Sequence, residues 1–335
     1  MVFLQLLAML VVILIAAEVF TNALEHLGEK LGISEGVTGS IFAAVGTALP
    51  ETLVPLLAIF AGTTNAETNN EIGVGAILGA PLMLSTLSIC LMALSVYKRR
   101  GTKGHLRPER TGLTRDLNFF IAAFVFAAAA LYIPHTNSVA RYVMGVLMIL
   151  IYVVYVWQTI RASKDLVEDG HATEAESNMF LNKFGISTNT TTIILQLLLG
   201  LGLLVAGAKG FINGVEAASE ILGISALMLS LLIIPIATEL PEKVNSILWI
   251  RKGKDTLAFG NITGAMVFQG TLLPAIGIML TPWVPRKEVI TGIVITLIAA
   301  MWMRYLMAKG GIRVWHLMVN GALYITYLVI ALSWS

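Results

Sequence analysis

Two polar hexapeptides interrupt apolar segments of this sequence with residues that could bind an ion. They are Gly46-Thr47-Ala48-Leu49-Pro50-Glu51 and Ala237-Thr238-Glu239-Leu240-Pro241-Glu242. Because proline lacks an amide hydrogen and clashes with the carbonyl four residues earlier, each proline predicts a helix that kinks or opens. The carbonyls freed there find no partner in hydrocarbon. A glutamate directly after the proline and a threonine three residues before it favour a cation as that partner.

The glutamates Glu51 and Glu242 are predicted to lie near the middle of the membrane, where an isolated charge is costly. Two facing carboxylates repel each other, and a divalent cation or a proton relieves that repulsion. Oxygen ligands favour Ca²⁺, Mg²⁺ or Mn²⁺ over softer metals, and Thr47 and Thr238 supply neutral oxygens. Two other interpretations stay open: the glutamates reach the membrane surface, or they hold a proton and hydrogen-bond between helices.

The composition is that of a membrane protein with several spans. Of 335 residues, 57% are hydrophobic and 13% are charged, whereas a soluble domain has about 25% charged residues. The one cysteine, Cys90, excludes an internal disulfide framework and a multi-cysteine metal site. The sequence has no phosphate-binding glycine loop and no H-E-x-x-H motif, and we predict that the protein is not an enzyme. The apolar run from Val2 is predicted to be a first transmembrane helix and not a removed signal peptide.

Ten apolar segments approach the ~20 residues that a bilayer requires. They lie at 2–23, 36–61, 72–97, 117–133, 139–161, 190–211, 226–250, 256–279, 289–308 and 314–333. When the basic loop after the third segment is placed in the cytoplasm, 17 of the 22 Lys and Arg residues fall inside and four outside, with Lys243 in the membrane. Both termini are then extracytoplasmic. The predicted location is the plasma (inner) membrane of a prokaryote.

The second half of the chain repeats the first. At an offset of 191, Ala17–Glu51 aligns without gaps to Ala208–Glu242, and 13 of the 35 positions are identical. The identical positions include Asn, Glu, Gly, Ser and Pro, which chance similarity between apolar segments does not explain. At an offset of 185, Gly75 aligns with Gly260 and Gly79 aligns with Gly264. The two glycines of each copy are four residues apart, a spacing that favours close helix packing.

Each repeat contains five segments, an odd number, so the two copies are predicted to enter the membrane from opposite sides. The predicted fold is an all-α membrane protein with ten transmembrane helices in two inverted five-helix repeats and broken helices at the ion site. The first repeat covers 1–162 and the second covers 190–335. A polar cytoplasmic linker, 163–189, separates them; we expect it to be solvated, with a regulatory cation-binding loop as the alternative.

These motifs resemble the α-repeats of the calcium/cation antiporter superfamily, which includes the sodium/calcium exchangers. The resemblance rests on G-T-x-L-P-E followed by a G-x-x-x-G segment in two inverted halves, and it covers most of the chain. It implies that Glu51 and Glu242 ligate the transported ion and that Thr47 and Thr238 contribute oxygens. The usual family pattern is G-T-S-x-P-E with a later G-N-x-x-G-S-N.

This sequence departs from that pattern where oxygen ligands are expected. The motif serine becomes Ala48 in the first repeat and Glu239 in the second, and the final Ser-Asn pairs become Ala80-Pro81 and Ala265-Met266. Of the two motif asparagines only Asn261 remains, as a ligand or as a hydrogen-bonding link between helices. The missing oxygens favour a proton over sodium as the coupling ion.

Lys243 follows Glu242 directly and lies one helical turn after Glu239. This spacing predicts an ion pair between Glu239 and Lys243. A second interpretation is that the ammonium fills a place that a sodium ion would otherwise take. The candidate metal ligands are Glu51, Glu242, Thr47, Thr238, Glu239 and Asn261, with Lys243 as the candidate ion-pair or coupling residue.

The predicted function is a secondary antiporter that exchanges a divalent cation for H⁺ or Na⁺ by alternating access. Ca²⁺ is the expected cargo, with Mg²⁺ and Mn²⁺ as alternatives, and no cofactor is predicted. A passive channel or uniporter and a relative that no longer transports are the competing functions. The expected partners are inorganic cations and the lipid bilayer, not nucleic acid, and the sequence leaves the oligomeric state open.

Overall fold

The computed structural model describes residues 1–30, 44–167 and 178–333, apart from the side chains of a few helix residues. Within these ranges the chain is helical almost throughout. The α-helices are, in chain order, α1 (Val2–Lys30), α2 (Ala44–Ala61), α3 (Ala66–Met83), α4 (Ile89–Arg100), α5 (Arg110–Ala130), α6 (Ser138–Val167), α7 (Thr190–Leu222), α8 (Ala226–Thr238), α9 (Leu240–Arg251), α10 (Asp255–Leu280), α11 (Lys287–Ala308) and α12 (Val314–Leu332).

Short irregular elements join some of these helices. A π-helical turn, Leu84–Ser88, connects α3 to α4, and a 3₁₀-helix covers Phe180–Phe184. Two strands of two residues each, β1 (His105–Leu106) and β2 (Ile312–Arg313), pair antiparallel. They link the connection after α4 to the connection after α11.

Eight of the described helical stretches are long and apolar enough to cross a membrane, as expected of a multi-pass membrane protein. They correspond to eight of the ten predicted segments. In the described residues the other two segments contain shorter apolar helices, Pro50–Ala61 within α2 and Ala226–Ile236 within α8. The short helices are therefore the ones that adjoin the two hexapeptides, and the count of ten spans stays a prediction.

The second hexapeptide breaks the helix as predicted. Glu239, with φ −86° and ψ 9°, separates α8 from α9, and Pro241 lies in the first turn of α9. Proline fits this position because the amides of a first turn have no partner within the helix. The proline therefore begins a new helix.

The first hexapeptide has a different backbone: in the described residues the helix does not open there, so that part of the prediction is wrong, and a kink stays a prediction. α2 continues from Ala44 through Pro50 and Pro55 to Ala61. Prolines are tolerated inside membrane helices when nearby hydroxyls and helices satisfy the backbone around them. Here the Thr52 hydroxyl donates to the Ala48 carbonyl at 2.6 Å.

Helices α1 and α7 pack antiparallel along most of their length. Glycines of α7 spaced by seven residues face α1, so that the two backbones approach closely. The facing pairs are Gly200 with Phe20, Gly207 with Ile13 and Gly214 with Leu6. This pairing joins the N-terminal half of the chain to its C-terminal half.

Helices α3 and α8 also pack closely, which confirms the predicted role of Gly75 and Gly79. A Cβ at Gly75 would collide with the Ser230 hydroxyl, and one at Gly79 would collide with the Leu231 carbonyl. The same prediction is wrong for the second pair. A Cβ at Gly260 would meet no atom within 4 Å in the described structure, because this residue is exposed, and one at Gly264 would meet only a tyrosine hydroxyl at 3.8 Å.

This difference gives a matched test of the repeat. We expect Gly75→Ala to destabilise the protein by roughly 1–3 kcal/mol, because the added methyl overpacks the α3–α8 contact. Its counterpart in the repeat, Gly260→Ala, should be neutral or slightly stabilising, because alanine favours helix over glycine. Thermal unfolding of the two purified variants in detergent measures both effects. Equal unfolding temperatures would show that the α3–α8 contact is not tight.

Polar contacts connect loops that the predicted topology places on the same side of the membrane. On one side, Arg100 forms an ion pair with Asp255 at 2.8 Å, and β1 pairs with β2. On the other, Arg286 pairs with Glu71, and the Arg141 guanidinium donates to a carbonyl of the α10–α11 connection at 2.9 Å. The contacts agree with the predicted alternation of loops, and which side faces the cytoplasm stays a prediction.

The predicted linker 163–189 is partly docked and not fully solvated. Residues 168–177 lie outside the described ranges. After them, the Phe180 amide donates to Asn22 Oδ1 at 3.3 Å, and the Leu181 amide donates to Gln196 Oε1 at 3.1 Å. Polar side chains of α1 and α7 thus bind the backbone of this segment, and Met179 is fully buried beside it.

Candidate cation site

Three buried glutamates come together where α2 meets the break between α8 and α9. Glu51 on α2, Glu239 at the break and Glu242 in the first turn of α9 each offer one carboxylate oxygen, and these oxygens lie within 4.8 Å of one another. The residues are 4%, 0% and 4% exposed, respectively. The structure therefore brings Glu51 and Glu242 together, as the repeat predicts, and adds Glu239 to them.

The start of α9 favours negative charge at this place. Backbone amides in the first turn of a helix lack partners inside the helix, and they carry the positive end of its dipole. Glu239 precedes this turn and Glu242 lies in it. A carboxylate at such an end is stabilised by about 0.3–1 kcal/mol, and by more when it is partly buried. Pro241 thus positions both acids by fixing where α9 begins.

Gln269 on α10 belongs to the site and was missed by the sequence analysis. Its Nε2 donates to Glu239 Oε1 at 2.6 Å. Among the described residues, Gln269 Oε1, Glu51 Oε2 and Glu239 Oε2 are buried with no hydrogen-bond donor. Because buried polar atoms are normally paired, these three acceptors are the candidates for binding a cation or a proton.

A sequence signal for Gln269 did exist. No other amide or charged side chain occurs between Asn261 and Arg286. A strongly polar side chain alone in an apolar span usually faces the interior of the protein. What it faces depends on how α10 packs, which the sequence pattern does not give.

The predicted threonine ligands are described only in the second repeat. Thr238 is 2% exposed and directly precedes Glu239. Its hydroxyl donates to the Ile234 carbonyl at 3.2 Å, so its oxygen lone pairs stay available as acceptors. The backbone of Thr47 lies in α2, but its side chain is outside the described residues.

Of the two roles predicted for Asn261, ligand or hydrogen-bonding link between helices, the structure shows the link. Its Nδ2 donates to the Glu242 carbonyl at 3.0 Å and to Ser246 Oγ at 2.9 Å. These bonds hold the start of α9 against α10. Asn261 therefore positions the helix that carries Glu242, and its role as a direct ligand stays a prediction.

The ion pair predicted between Glu239 and Lys243 is not among the ion pairs of the described residues. The Lys243 ammonium instead donates to the Pro235 carbonyl at 2.9 Å and lies 2.9 Å from Met83 Sδ. Helical side chains lean toward the N-terminus, so the long lysine chain passes Glu239 and reaches α8. Lys243 is 8% exposed, and its charge acts on all three glutamates at longer range.

Another buried carboxylate, Asp116 on α5, serves a different purpose. Its Oδ1 accepts from the Tyr155 hydroxyl at 3.1 Å, and its Oδ2 accepts from the Thr263 hydroxyl at 2.7 Å. Both oxygens are therefore satisfied by α6 and α10. Asp116 thus links α5 to α6 and α10, whereas Glu51 Oε2 and Glu239 Oε2 accept no hydrogen bond from the described residues.

Comparison with known proteins identifies the family. The family described as sodium/calcium exchanger protein matches residues 1–161 and 192–333. The chain belongs to the sodium/calcium exchanger family. Members of this family are transporters and not enzymes, and the resemblance seen in the motifs is thereby confirmed.

This exchanger-family chain has relatives among named proteins and solved structures. It is 26% identical over 287 residues to a protein of Alkalimonas amylolytica named as an antiporter, CaxA, with 82% of this chain and 79% of the relative aligned. Its fold is similar to that of the H⁺/Ca²⁺ exchanger CAX, with TM-score 0.71, 17% identity, and coverage of 98% of this chain and 82% of the other. It is also similar to the sodium–calcium exchanger NCX_Mj, with TM-score 0.59, 18% identity, and coverage of 98% and 99%. At these identities the two solved structures establish the shared fold.

Proposed function

We propose that the protein is a secondary antiporter that carries a divalent cation, Ca²⁺ first of all, in exchange for H⁺ or Na⁺. Glu51 and Glu242 hold the ion, with Glu239 and the hydroxyls of Thr47 and Thr238 as further ligands. Alternating access moves this one site between the two sides of the membrane. The observation that carries the proposal is the convergence, within 4.8 Å, of three buried carboxylates, one from α2 and two from the α8–α9 break.

The chemistry of the available oxygens supports a hard divalent cation. Ca²⁺ takes six to eight oxygen ligands from carboxylates, carbonyls and amides in flexible geometry. The three carboxylates supply the charge, while Thr238 and Gln269 Oε1 supply neutral oxygens. Mg²⁺ binds reluctantly at such sites, because it demands near-octahedral geometry and keeps its water.

The two structural neighbours are named for H⁺/Ca²⁺ exchange and for sodium–calcium exchange, so H⁺ and Na⁺ are the two candidate counter-ions. We favour the proton. A dehydrated sodium ion requires oxygen ligands, and five positions of the motifs carry side chains without oxygen, namely Ala48, Ala80, Pro81, Ala265 and Met266. The carboxylates, by contrast, can bind protons in place of the metal.

The architecture proposed for this function has ten spans in two inverted repeats, with both termini extracytoplasmic in the plasma membrane. The antiparallel pairing of α1 with α7 supports it, because these helices occupy equivalent places in the two repeats. Same-side contacts such as that of Arg100 with Asp255 support the alternation of loops. The excess of Lys and Arg on that side supports its assignment to the cytoplasm.

Ion flux into proteoliposomes tests the proposal directly. We expect radiolabelled Ca²⁺ to accumulate against its own gradient when a counter-ion gradient is imposed, and to exchange when Ca²⁺ is present on both sides. Mg²⁺ and Mn²⁺ serve as competitors. A passive channel would equilibrate Ca²⁺ without coupling, and a relative that no longer transports would show no flux and no Ca²⁺ binding in calorimetry.

A further inference from the structure

Lys243 brings a positive charge into the site without being a ligand. Its ammonium is held by a backbone carbonyl of α8 and by the thioether of Met83 at the end of α3. Both are acceptors only, so they fix the position of the ammonium without neutralising it. Lys243 directly follows Glu242 and lies one turn after Glu239, so the charges that can balance it are those of the three clustered glutamates.

The formal charges of this group then suggest a role. Three carboxylates and one ammonium leave a net charge of −2, which is the charge that one divalent cation balances. A buried group with a net charge is costly, whereas a neutral one is tolerated. Without the lysine the three carboxylates would need a monovalent cation in addition to the divalent one.

We propose that the Lys243 ammonium is a tethered monovalent cation of the transport site. It stays bound through the whole cycle and balances one carboxylate, so that the site loaded with one divalent cation is neutral. This inference rests on the proposed function and extends it. The number of monovalent charges that return per divalent cation is then two, and exchange is electroneutral.

Self-exchange of Ca²⁺ tests this idea without any counter-ion. Proteoliposomes with equal Ca²⁺ on both sides, at alkaline pH, are assayed with and without a potassium diffusion potential set by valinomycin. We expect the wild type to exchange radiolabelled Ca²⁺ at a rate that the potential does not change. Lys243→Met keeps most of the side-chain volume but leaves the loaded site with one uncompensated negative charge. We expect it to exchange roughly 5- to 150-fold more slowly, the usual range of coupling between two ligands, and to become sensitive to the potential.

The double variant decides between charge and structure. Glu239→Gln alone leaves the loaded site with one excess positive charge and should also be slow and potential-sensitive. Combining Glu239→Gln with Lys243→Met restores the neutrality of the loaded site. Because Glu239 is also a proposed ligand, the double variant is compared with Glu239→Gln alone at saturating Ca²⁺, and its exchange should be faster and again independent of the potential. If exchange by the double variant were as slow and as sensitive to the potential as that of Glu239→Gln alone, the charge balance would be refuted, and Lys243 would act only through its hydrogen bond to Pro235. A Lys243→Met protein with wild-type, potential-independent exchange would overturn the inference as well.

Two further measurements keep the outcomes separate. Lys209→Met, at an exposed lysine of α7, is the control for removing a lysine and should exchange like the wild type. Thermal unfolding in detergent gives a readout that needs no transport: Lys243→Met should unfold at a lower temperature, and adding Glu239→Gln should reverse the loss. If the wild type moved no Ca²⁺, the proposed function would fail, while an unfolding cycle without coupling between the two residues would refute the charge pairing itself.

Discussion

We expect Glu51→Gln and Glu242→Gln each to abolish transport of divalent cations while the protein stays folded. The amide keeps the size of the side chain but removes a charge that a hard cation requires. Even residues that only support metal ligands typically contribute 10- to 100-fold to affinity, so the loss of a ligand should reduce uptake by roughly 100-fold or more. Uptake of radiolabelled Ca²⁺ into proteoliposomes measures this effect. Calorimetric titration of the purified variants shows whether binding is lost with it.

The matched control for these variants is Glu220→Gln. Glu220 lies on α7 and is exposed, so its replacement should leave uptake unchanged. Each variant should elute from gel filtration as the wild type does, because replacing one of three clustered acids reduces their mutual repulsion. Wild-type uptake by Glu51→Gln or by Glu242→Gln would remove that residue from the site.

The second large effect concerns the driving ion. In the absence of sodium, an acidic lumen should drive Ca²⁺ uptake, because protons and Ca²⁺ are alternative ligands of the same carboxylates. On the side from which Ca²⁺ enters, the apparent KM for Ca²⁺ should rise as the pH falls and should fall as the pH rises. The initial rate of Ca²⁺ uptake, measured over a range of pH with and without a pH gradient, tests both expectations.

A protonophore provides the control for this experiment, because it dissipates the pH gradient and should stop net accumulation. In the absence of the protonophore, replacing external choline with sodium should have little effect on the rate of Ca²⁺ uptake. A strict requirement for sodium, with uptake indifferent to the pH gradient, would contradict proton coupling. The protein would then follow the sodium-coupled scheme on the same three glutamates.

The part of the site that the sequence predicts comes from the duplication. Glu51 and Glu242 occupy the same position in two copies of one motif, so related folding of the two copies brings them to matching places. The convergence of these residues could therefore be predicted before any helix was positioned. Glu239 could be included for the same reason, because it replaces a residue of the motif.

The other members of the site depend on packing between helices that the motif does not contain. Gln269 and Met83 reach the site from α10 and α3, and no spacing along the chain fixes the rotation of these helices. The direction of Lys243 could not be deduced from the i, i+4 rule either. At a helix break the nearest acceptor lies in the preceding helix, and the lysine chain is long enough to reach it.

Proline and glycine gave equivocal signals for a related reason. Pro50 and Pro241 follow the same motif, but only the second marks the first turn of a new helix. Likewise Gly75 faces a neighbouring helix, whereas its counterpart Gly260 is exposed. A small or helix-breaking residue permits a close contact or a break, and the surrounding helices decide whether it occurs.

The pairing of α1 with α7 has a consequence for the synthesis of the protein. The partners are far apart in the chain, since α1 ends at Lys30 and α7 ends at Leu222. At about 5–20 residues per second, a ribosome needs roughly 10–40 s to make the intervening chain. During that interval the face of α1 that later meets the glycines of α7 has only lipid or the insertion machinery beside it. Glu51 likewise enters the membrane before Glu239 and Glu242 have been synthesised. The site can therefore form only after the second half of the chain has been inserted.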